Sequence, residues 1–189
     1  MGFDEEKKNA LGKLNTALAA EKVDGGMLPL IEIINSKPNL FTSSSCYGRI
    51  VIFDSPNKTK EDTAFVAKWH RQVGFDEVRK TLDSAAGGDL WFRMEGFILH
   101  ISCRDIETAG RVLELKTKLG LKRGGIFHVS DDRVQIELVS TLKMDLPVKH
   151  NGTMLVSDEY LKTIINEANV KMQRNSEDVE KLKSELGKL

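Results

Sequence analysis

The chain has 189 residues, of which 40% are hydrophobic and 30% are charged, and its 28 basic and 28 acidic side chains give a formal net charge of zero. This balance disfavours a protein whose affinity for nucleic acid depends on bulk positive charge, although a local basic patch is compatible with it. The N-terminus lacks the apolar block of a signal peptide, and no apolar run reaches the roughly 20 residues that span a bilayer, so we expect a cytoplasmic protein without a membrane-spanning segment.

Helices are predicted at the start of the chain and strands soon after them. Leucines recur at helical spacing within residues 4–20, at Leu11, Leu14 and Leu18. This amphipathic helix ends at Asp24-Gly25-Gly26, and a shorter helix is predicted over 27–35. Strands are then predicted at 40–42 and 49–53, separated by a small polar stretch at 43–48 that we interpret as a turn.

Two alternating segments in the middle of the chain predict a β-hairpin. Apolar residues alternate with polar ones in 90–94 and again in 97–103. A two-residue turn at Glu95-Gly96 would place one set of apolar residues from both segments on one face, as a half-buried hairpin requires: Leu90, Phe92, Met94, Phe97, Leu99, Ile101 and Cys103. The same register would set Trp91 opposite His100 on the other face.

The remaining elements complete a mixed pattern. Helices are predicted at 76–85, at 106–119 and from 157 onward, and strands at 63–70, 126–129 and 133–139. Helices at both ends with strands between them predict an α+β fold, with a mixed or antiparallel sheet packed with helices. No strand is followed by GxGxxG, so a Rossmann-type fold finds no support. We expect one domain over residues 1–170.

A charged helical tail is predicted over residues 171–189. Its apolar residues, Val179, Leu182 and Leu186, lie at spacings that suit weak packing or contact with another subunit. The oligomeric state stays open.

The densest cluster of small polar residues precedes Arg49. Consecutive backbone N–H groups in a turn such as 43–48 can hold an anion, and serine hydroxyls add donors. Arg49 can grip a phosphate or a carboxylate with two hydrogen bonds. The alternative is a serine-rich turn with an arginine in a surface ion pair.

Two cysteines, Cys46 and Cys103, stand far apart in the sequence. They form no CxxC pair, and no further Cys/His spacing completes a zinc site, so we expect free thiols and no metal. Cys46 would be a nucleophile if a histidine stabilised its thiolate, and an inert packed cysteine is the alternative.

Aromatic and basic residues provide candidates for binding RNA. Trp69, His70 and Arg71 place a flat ring beside cationic groups, a combination that can stack on a base and neutralise phosphate. Basic residues also gather around this trio and again later, at Lys58, Lys60, Lys68, Lys116, Lys118, Lys122 and Arg123. A half-buried tryptophan and solvated charges are the alternatives. His100 is a candidate general base, with a histidine bonded to a cross-strand neighbour as its alternative.

Three blocks of this sequence resemble a known family. They are Ser44-Ser45-Cys46-Tyr47-Gly48-Arg49-Ile50, Lys68-Trp69-His70, and Glu95-Gly96-Phe97-Ile98-Leu99-His100-Ile101-Ser102-Cys103-Arg104-Asp105. Together they are similar to the wybutosine-pathway methyltransferases, the tRNA wybutosine-synthesizing protein 3 family in its archaeal-type form. The family usually has Ser at the position of Tyr47 and Pro at that of Gly96.

The resemblance implies an activity, a cofactor and a partner. It implies S-adenosylmethionine as methyl donor and N4 of a wyosine-type tricyclic base at position 37, in the anticodon loop of tRNA-Phe, as the methyl acceptor. It implies that the first block, at Ser44, Ser45, Cys46, Gly48 and Arg49, binds the donor, with Arg49 and the serines as ligands for the donor's carboxylate or for a tRNA phosphate. A histidine exchanges protons near neutral pH, so His100 or His70 is the expected catalytic base. The residues expected to contact tRNA are Trp69, Arg71, Trp91, Glu95 and Arg104.

Two other functions remain open. A non-catalytic RNA-binding module would bind tRNA with a strong salt dependence and would have no affinity for S-adenosylmethionine. A transferase or hydrolase that depends on Cys46 would have a thiol that alkylates quickly near neutral pH.

Overall fold

A computed structural model describes residues 2–55, 63–85 and 88–189, so the predicted basic residues Lys58 and Lys60 lie outside the described residues. The chain divides into two compact units. Unit 1 comprises the described residues of Met1–Tyr47, Phe97–Thr141 and Ser176–Leu189, and unit 2 comprises those of Gly48–Gly96 and Leu142–Asn175.

The described residues form five α-helices and ten strands. The helices are α1 (Phe3–Ala19), α2 (Leu28–Ser36), which a 3-10 turn (Gly25–Met27) precedes, α3 (Phe75–Ser84), α4 (Ile106–Lys118) and α5 (Asp158–Gly187). The strands are β1 (Leu40–Cys46), β2 (Arg49–Asp54), β3 (Ala64–Trp69), β4 (Leu90–Glu95), β5 (Ile98–Cys103), β6 (Arg123–Val129), β7 (Val134–Val139), β8 (Lys143–Pro147), β9 (Lys149–His150) and β10 (Thr153–Met154).

Unit 1 contains a four-stranded antiparallel sheet in the order β1-β5-β7-β6. Its inner face joins α2, α4 and the end of α5 in one hydrophobic core, to which β5 contributes Leu99, Ile101 and Cys103. Because side chains alternate along a strand, His100 points to the opposite, outer face.

Unit 2 contains a second antiparallel sheet in the order β3-β2-β4-β8. Ile52 and Phe92 are paired neighbours on its inner face, and both are fully buried. They pack in a core with α3 and with the first half of α5, which contributes Leu161 and Ile165. Small β9 and β10 pair with each other.

The predicted hairpin at residues 90–103 is wrong. β4 pairs with β2 and β8, whereas β5 pairs with β1 and β7, so the two strands lie in different sheets. The predicted faces are nevertheless right, since every apolar residue of the expected inner set is buried, at Leu90, Phe92, Met94, Phe97, Leu99, Ile101 and Cys103. Alternation fixes which face of a strand is buried and leaves its neighbours undetermined.

The polar stretch predicted as a turn is also different in the structure. Ser43, Ser44 and Ser45 continue β1, which pairs with β5 as far as Cys46. The register shifts between Thr42 and Ser44, as a β-bulge does. The expected nest of backbone N–H groups is therefore replaced by strand pairing.

The α+β fold with an antiparallel sheet is confirmed, as are the predicted helices at both ends of the chain. Weak packing of the predicted tail is wrong, because Val179, Leu182 and Leu186 are buried in the core of unit 1. Helix α5 runs without interruption through residue 170, and the domain boundary predicted there stays a prediction. None of the helices in the described residues has the length and apolar character to cross a membrane.

Candidate functional site

A row of four residues crosses the outer face of the unit 1 sheet. Ser44 on β1 pairs with His100 on β5, which pairs with Glu137 on β7, which in turn pairs with Gly125 on β6. Side chains of directly paired residues lie on the same face, with Cβ atoms about 5 Å apart. The row therefore brings a hydroxyl, an imidazole and a carboxylate together.

His100 and Glu137 form the closest polar contact in this row. His100 Nε2 lies 3.0 Å from Glu137 Oε1, and the two side chains are 29% and 39% exposed. An ionised carboxylate only accepts hydrogen bonds, so Nε2 carries the proton and Nδ1 of a neutral imidazole is left as an acceptor. The Phe127 ring lies 5.0 Å from the imidazole between centroids.

A cavity of about 630 Å³ lies in unit 1, within the range of about 300–1,000 Å³ typical of small-molecule sites. Helix α1 forms one wall with Glu6, Asn9, Ala10, Lys13, Leu14 and Ala17. The strands contribute Phe41, Thr42, Ser43, Ser44, Ser45, Ser102 and Gln135, and Lys22, Val23, Ile31 and Arg133 complete the lining. The cavity therefore combines apolar surface with hydroxyls and charges of both signs.

Local contacts explain how α1 comes to form this wall. The rings of Phe3 and Phe41 lie 5.2 Å apart, and Arg133 pairs with Glu6. Two bonds from Arg104 hold the start of α1, from Nη2 to Asp4 Oδ1 at 2.5 Å and from Nη1 to Asp4 Oδ2 at 3.2 Å. Arg104 Nε also donates to Asn39 Oδ1 at 2.9 Å, just before β1. The hydrogen bond from Arg104 lowers the pKa of the Asp4 carboxyl. Arg104 thus links α1 to the end of β5, and its expected contact with tRNA stays a prediction.

The two cysteines have different surroundings within unit 1. Cys103 is fully buried, and this burial raises the pKa of its thiol to about 12. Cys46 is half-buried at the end of β1, where it pairs with Ile98. Both are free thiols, and no disulfide is present among the described residues.

The outer face of the unit 2 sheet carries charged groups and aromatic rings. Arg49 pairs in register with Glu95, and its Nη2 lies 3.3 Å from Glu95 Oε2. The Arg49 guanidinium lies 5.1 Å from the centroid of the Phe65 ring, and Lys68 Nζ lies 4.5 Å from the same centroid. The structure thus brings two of the expected site residues, Arg49 and Glu95, into direct contact.

Trp91 lies on this same face. Its expected position opposite His100 is wrong, because Trp91 pairs with Phe53 and Pro147. The rings of Trp91 and Phe53 are stacked, with centroids 6.3 Å apart, and the Arg93 guanidinium lies 4.4 Å from the centroid of Phe53. Trp91 is therefore part of an aromatic and cationic surface.

The trio at the end of β3 has partners within unit 2. Trp69 pairs with Ile50 and packs against the core, whereas Arg71 makes two bonds to the Glu77 carboxylate, at 3.0 and 2.6 Å. His70 Nδ1 lies 3.0 Å from Gly48 O, and a carbonyl only accepts, so Nδ1 carries the proton.

Gly48 has a backbone requirement of its own. Its φ of +99° lies in the left-handed region, and a Cβ at this position would lie 2.8 Å from Glu95 O. This position of the sequence motif therefore requires glycine for reasons of backbone geometry.

Several site residues were not found by sequence reasoning. Phe127 and Glu137 come from β6 and β7, Arg133 directly precedes β7, and the wall of α1 comes from the first 20 residues. The alternation of β7 indicates that Glu137 points outward, but only strand order could indicate that it would meet His100.

Together these features define a small α+β enzyme in which a histidine–carboxylate pair shares a sheet face with residues that line a ligand-sized cavity. Residues 5–188 match the family described as Methyltransferase TYW3. The chain belongs to this family of methyltransferases. The resemblance noted in the three sequence blocks is confirmed, and so is the prediction of a methyltransferase, an enzyme that requires a methyl donor.

Similar proteins agree with this membership. A relative from Methanocaldococcus jannaschii, 37% identical over 94% of this chain and 93% of its own length, is named tRNA(Phe) 7-((3-amino-3-carboxypropyl)-4-demethylwyosine(37)-N(4))-methyltransferase. A relative from Thermococcus kodakarensis with the same name, numbered 1, is 38% identical over 99% of this chain and 95% of its own length. The structure of the PH1069 protein from Pyrococcus horikoshii matches with a TM-score of 0.94 and 35% identity, covering 98% of this chain and 96% of that one.

Proposed function

We propose that this chain transfers a methyl group from S-adenosylmethionine to N4 of a demethylwyosine-type base at position 37 of tRNA-Phe. The names of the relatives support the substrate. The observation that carries the proposal is the hydrogen-bonded pair of His100 and Glu137, which lies in the same row as Ser44, one of the serines that line the cavity. The proposal includes a cytoplasmic location and contact with the anticodon loop.

We place the methyl donor in the cavity of unit 1. The volume suits a ligand of this size, and the lining offers what its parts require. Hydroxyls of Ser44 and Ser45 can bond to a ribose or a carboxylate, Lys13 and Arg133 can pair with the carboxylate, and Glu6 can accept from the ammonium group. S-adenosylmethionine, when bound, supplies a methyl group already activated by the adjoining positive sulfur.

The chain's own contribution is then alignment and proton removal. N4 must lose a proton as it gains the methyl group, and His100 Nδ1 accepts this proton. Glu137 holds Nε2–H, orients the ring and stabilises the imidazolium that forms. Alignment of N4 with the methyl carbon, with water excluded, lowers the remaining barrier.

The surface of unit 2 provides contacts for the RNA in this proposal. In this proposal Arg49 binds a tRNA phosphate, and Glu95 orients the guanidinium group of Arg49. Trp91 supplies an aromatic surface on the same face of the sheet. Roles for Trp69, Arg71, Arg104, Cys46 and Gly48 in binding the donor or tRNA stay predictions, as does His70 as an alternative base.

Calorimetric titration with S-adenosylmethionine tests the donor site. Ala10→Trp fills the cavity from α1, and Asn15→Trp adds the same ring to an exposed position on the same helix. We expect wild type and Asn15→Trp to bind the donor and Ala10→Trp to lose affinity by at least about tenfold, because its ring occupies the binding volume. Equal affinity in all three proteins would place the donor elsewhere.

Mass spectrometry of treated tRNA tests the reaction. Wild type should methylate tRNA-Phe that carries the demethyl precursor. His100→Ala should leave most of this tRNA unmethylated, whereas His70→Ala should methylate it as wild type does. Full methylation by both variants would show that neither His100 nor His70 acts as the catalytic base. Salt-dependent tRNA binding without any affinity for S-adenosylmethionine would instead support a non-catalytic RNA-binding module.

A further inference from the structure

An exposed aromatic ring lies beside the His100–Glu137 pair. Phe127 on β6 is 53% exposed, and its ring is tilted by 45° to the imidazole of His100 at 5.0 Å between centroids. Ile98, two residues before His100 on the same face of β5, is also exposed, at 37%. Apolar groups that border a polar pair in this way are typical of a ligand-binding surface.

The sheet surface next to this ring is open. Gly125 pairs with Glu137, and no heavy atom of the described residues outside its immediate chain neighbours lies within 4 Å of the position that its Cβ would occupy. Its backbone is not in the left-handed region, so strain does not require glycine here. The missing side chain leaves an open area of the sheet surface beside Glu137, next to Phe127 on the same strand.

We propose that Phe127 is the stacking platform for the base that is methylated, and that Gly125 keeps the adjoining surface free for that base. The inference rests on the proposed function, because it puts the base beside His100. A tricyclic purine-derived base has a wide π-face, and aromatic side chains bind unstacked bases through that face. A base on Phe127 would direct its ring edge towards the imidazole.

The two tryptophans are less suited to this role. Trp69 packs against the core of unit 2, and Trp91 already stacks on Phe53. Phe127 is an aromatic residue of unit 1 that is more than half exposed, and its ring contacts His100, the candidate general base.

Substitutions at Phe127 test the stacking role through the KM for tRNA. We expect Phe127→Leu to raise this KM by about tenfold or more, because it removes a base–aromatic stack. Phe127→Tyr should keep the wild-type KM, since it retains the ring. The affinity for S-adenosylmethionine should stay unchanged in both, and Val129→Thr, at an exposed position on the same strand, is the matched control.

Gly125→Val tests the open surface independently. Valine is favoured in strands and has space at this position, so the variant should fold, as a thermal melt will show. We expect a similar rise in KM for tRNA, because the side chain occupies the area of the base. A wild-type KM in Gly125→Val would show that no ligand lies over Glu137.

A fluorescence measurement separates stacking from a structural role. The emission that Phe127→Trp gains over wild type should be quenched by tRNA that carries the tricyclic base and not by tRNA with unmodified guanosine. Quenching without methylation by wild type would overturn the proposed function and leave the stacking role standing.

Two results would overturn the stacking role and leave the proposed function intact. One is a wild-type KM in Phe127→Leu. The other is a wild-type dimer, seen by sedimentation, that Phe127→Leu dissociates, since a second copy of the chain would then be what covers the ring.

Discussion

The two sheets share an architecture and differ in what their outer faces carry. Each has four antiparallel strands with helices packed on the inner face. The outer face of unit 1 presents a hydroxyl, a carboxylate and an exposed phenyl ring around one imidazole, whereas that of unit 2 presents guanidinium groups paired with carboxylates over aromatic rings.

The charged and titratable groups of the two faces are suited to different tasks: the imidazole of unit 1 to proton transfer, and the guanidinium groups of unit 2 to binding. An imidazole gains and loses a proton near neutral pH, so it can act in a reaction. Guanidinium groups stay charged throughout the physiological range and can only hold a partner. Variants of the histidine of the unit 1 face should therefore change kcat, and variants of the arginines of the unit 2 face should change KM.

The largest effect is expected for His100→Ala. Loss of a general base costs about 100- to 10,000-fold in rate, so kcat should fall by at least about 100-fold, with the KM for tRNA little changed. Single-turnover methylation at saturating tRNA measures this value. His128→Ala, an exposed histidine of β6, is the control and should retain wild-type kcat. A normal kcat in His100→Ala would break the assignment of chemistry to unit 1.

The reactivity of the two thiols is a further test of the assignment of the chemistry to an imidazole and not to a cysteine. Burial raises the pKa of Cys103 to about 12, so very little of its thiol is ionised at pH 8. Half-buried Cys46 should be alkylated at least about 100-fold faster than Cys103, as peptide mass spectrometry after timed alkylation will show. Fast labelling of Cys103 in the folded protein would mean that the core of unit 1 opens readily.

A smaller effect is expected for Arg49→Gln on the unit 2 face. Loss of one phosphate contact should weaken tRNA binding by a few fold and lower the slope of log affinity against log salt by about one. The kcat should stay near that of wild type. Arg79→Gln removes an arginine of the same unit that is paired with Asp83 and Asp158, and it should leave the slope unchanged. An unchanged slope in Arg49→Gln would place the RNA elsewhere.

The smallest effect is expected for Asp105→Ala, which affects stability. Asp105 caps α4 by accepting a hydrogen bond from Thr108 N at 2.7 Å, and this bond lowers the pKa of its carboxyl. Loss of such a cap costs about 1 kcal/mol in the free energy of unfolding.

The pH dependence of this cap has a definite sign. A carboxyl with a lowered folded-state pKa contributes stability above its ordinary pKa of about 4, and this stability is lost as the pH falls through the lowered value. The difference in Tm between wild type and Asp105→Ala should therefore be constant from about pH 8 to 5 and shrink below about pH 4. Glu107→Gln, in the first turn of α4, is the control.

Local patterns predict the faces of the strands and fail to predict their neighbours. Alternation around His100 correctly places it outward, because Leu99 and Ile101 must be buried. The turn expected at Glu95-Gly96 is wrong because each strand finds partners from distant parts of the chain. Glu137 meets His100 only through this long-range pairing, so no spacing near His100 could indicate it.

The serine stretch shows a second limit of local reasoning. Small polar residues favour turns, and at 43–45 this preference is overridden by pairing with the buried strand β5. The chemistry of the serines was recognised, since Ser44 and Ser45 line the cavity, but the other wall could not be foreseen. The contact of α1 with β1 depends on tertiary packing, which the helical periodicity of α1 leaves undetermined.

The register shift between Ile126 and His128 has a consequence for the behaviour of the protein at high concentration. Strand β6 lies at the edge of its sheet and exposes Ile126 and Val129 as well as Phe127. A regular edge with such side chains would be a template for addition of a strand from another molecule and thus for aggregation. The irregularity interrupts the row of free backbone N–H and C=O groups at the edge. A strand from another molecule would therefore lose its hydrogen-bond register after a few residues. The exposed apolar residues of β6 can in this way remain available to a ligand without promoting aggregation by strand addition.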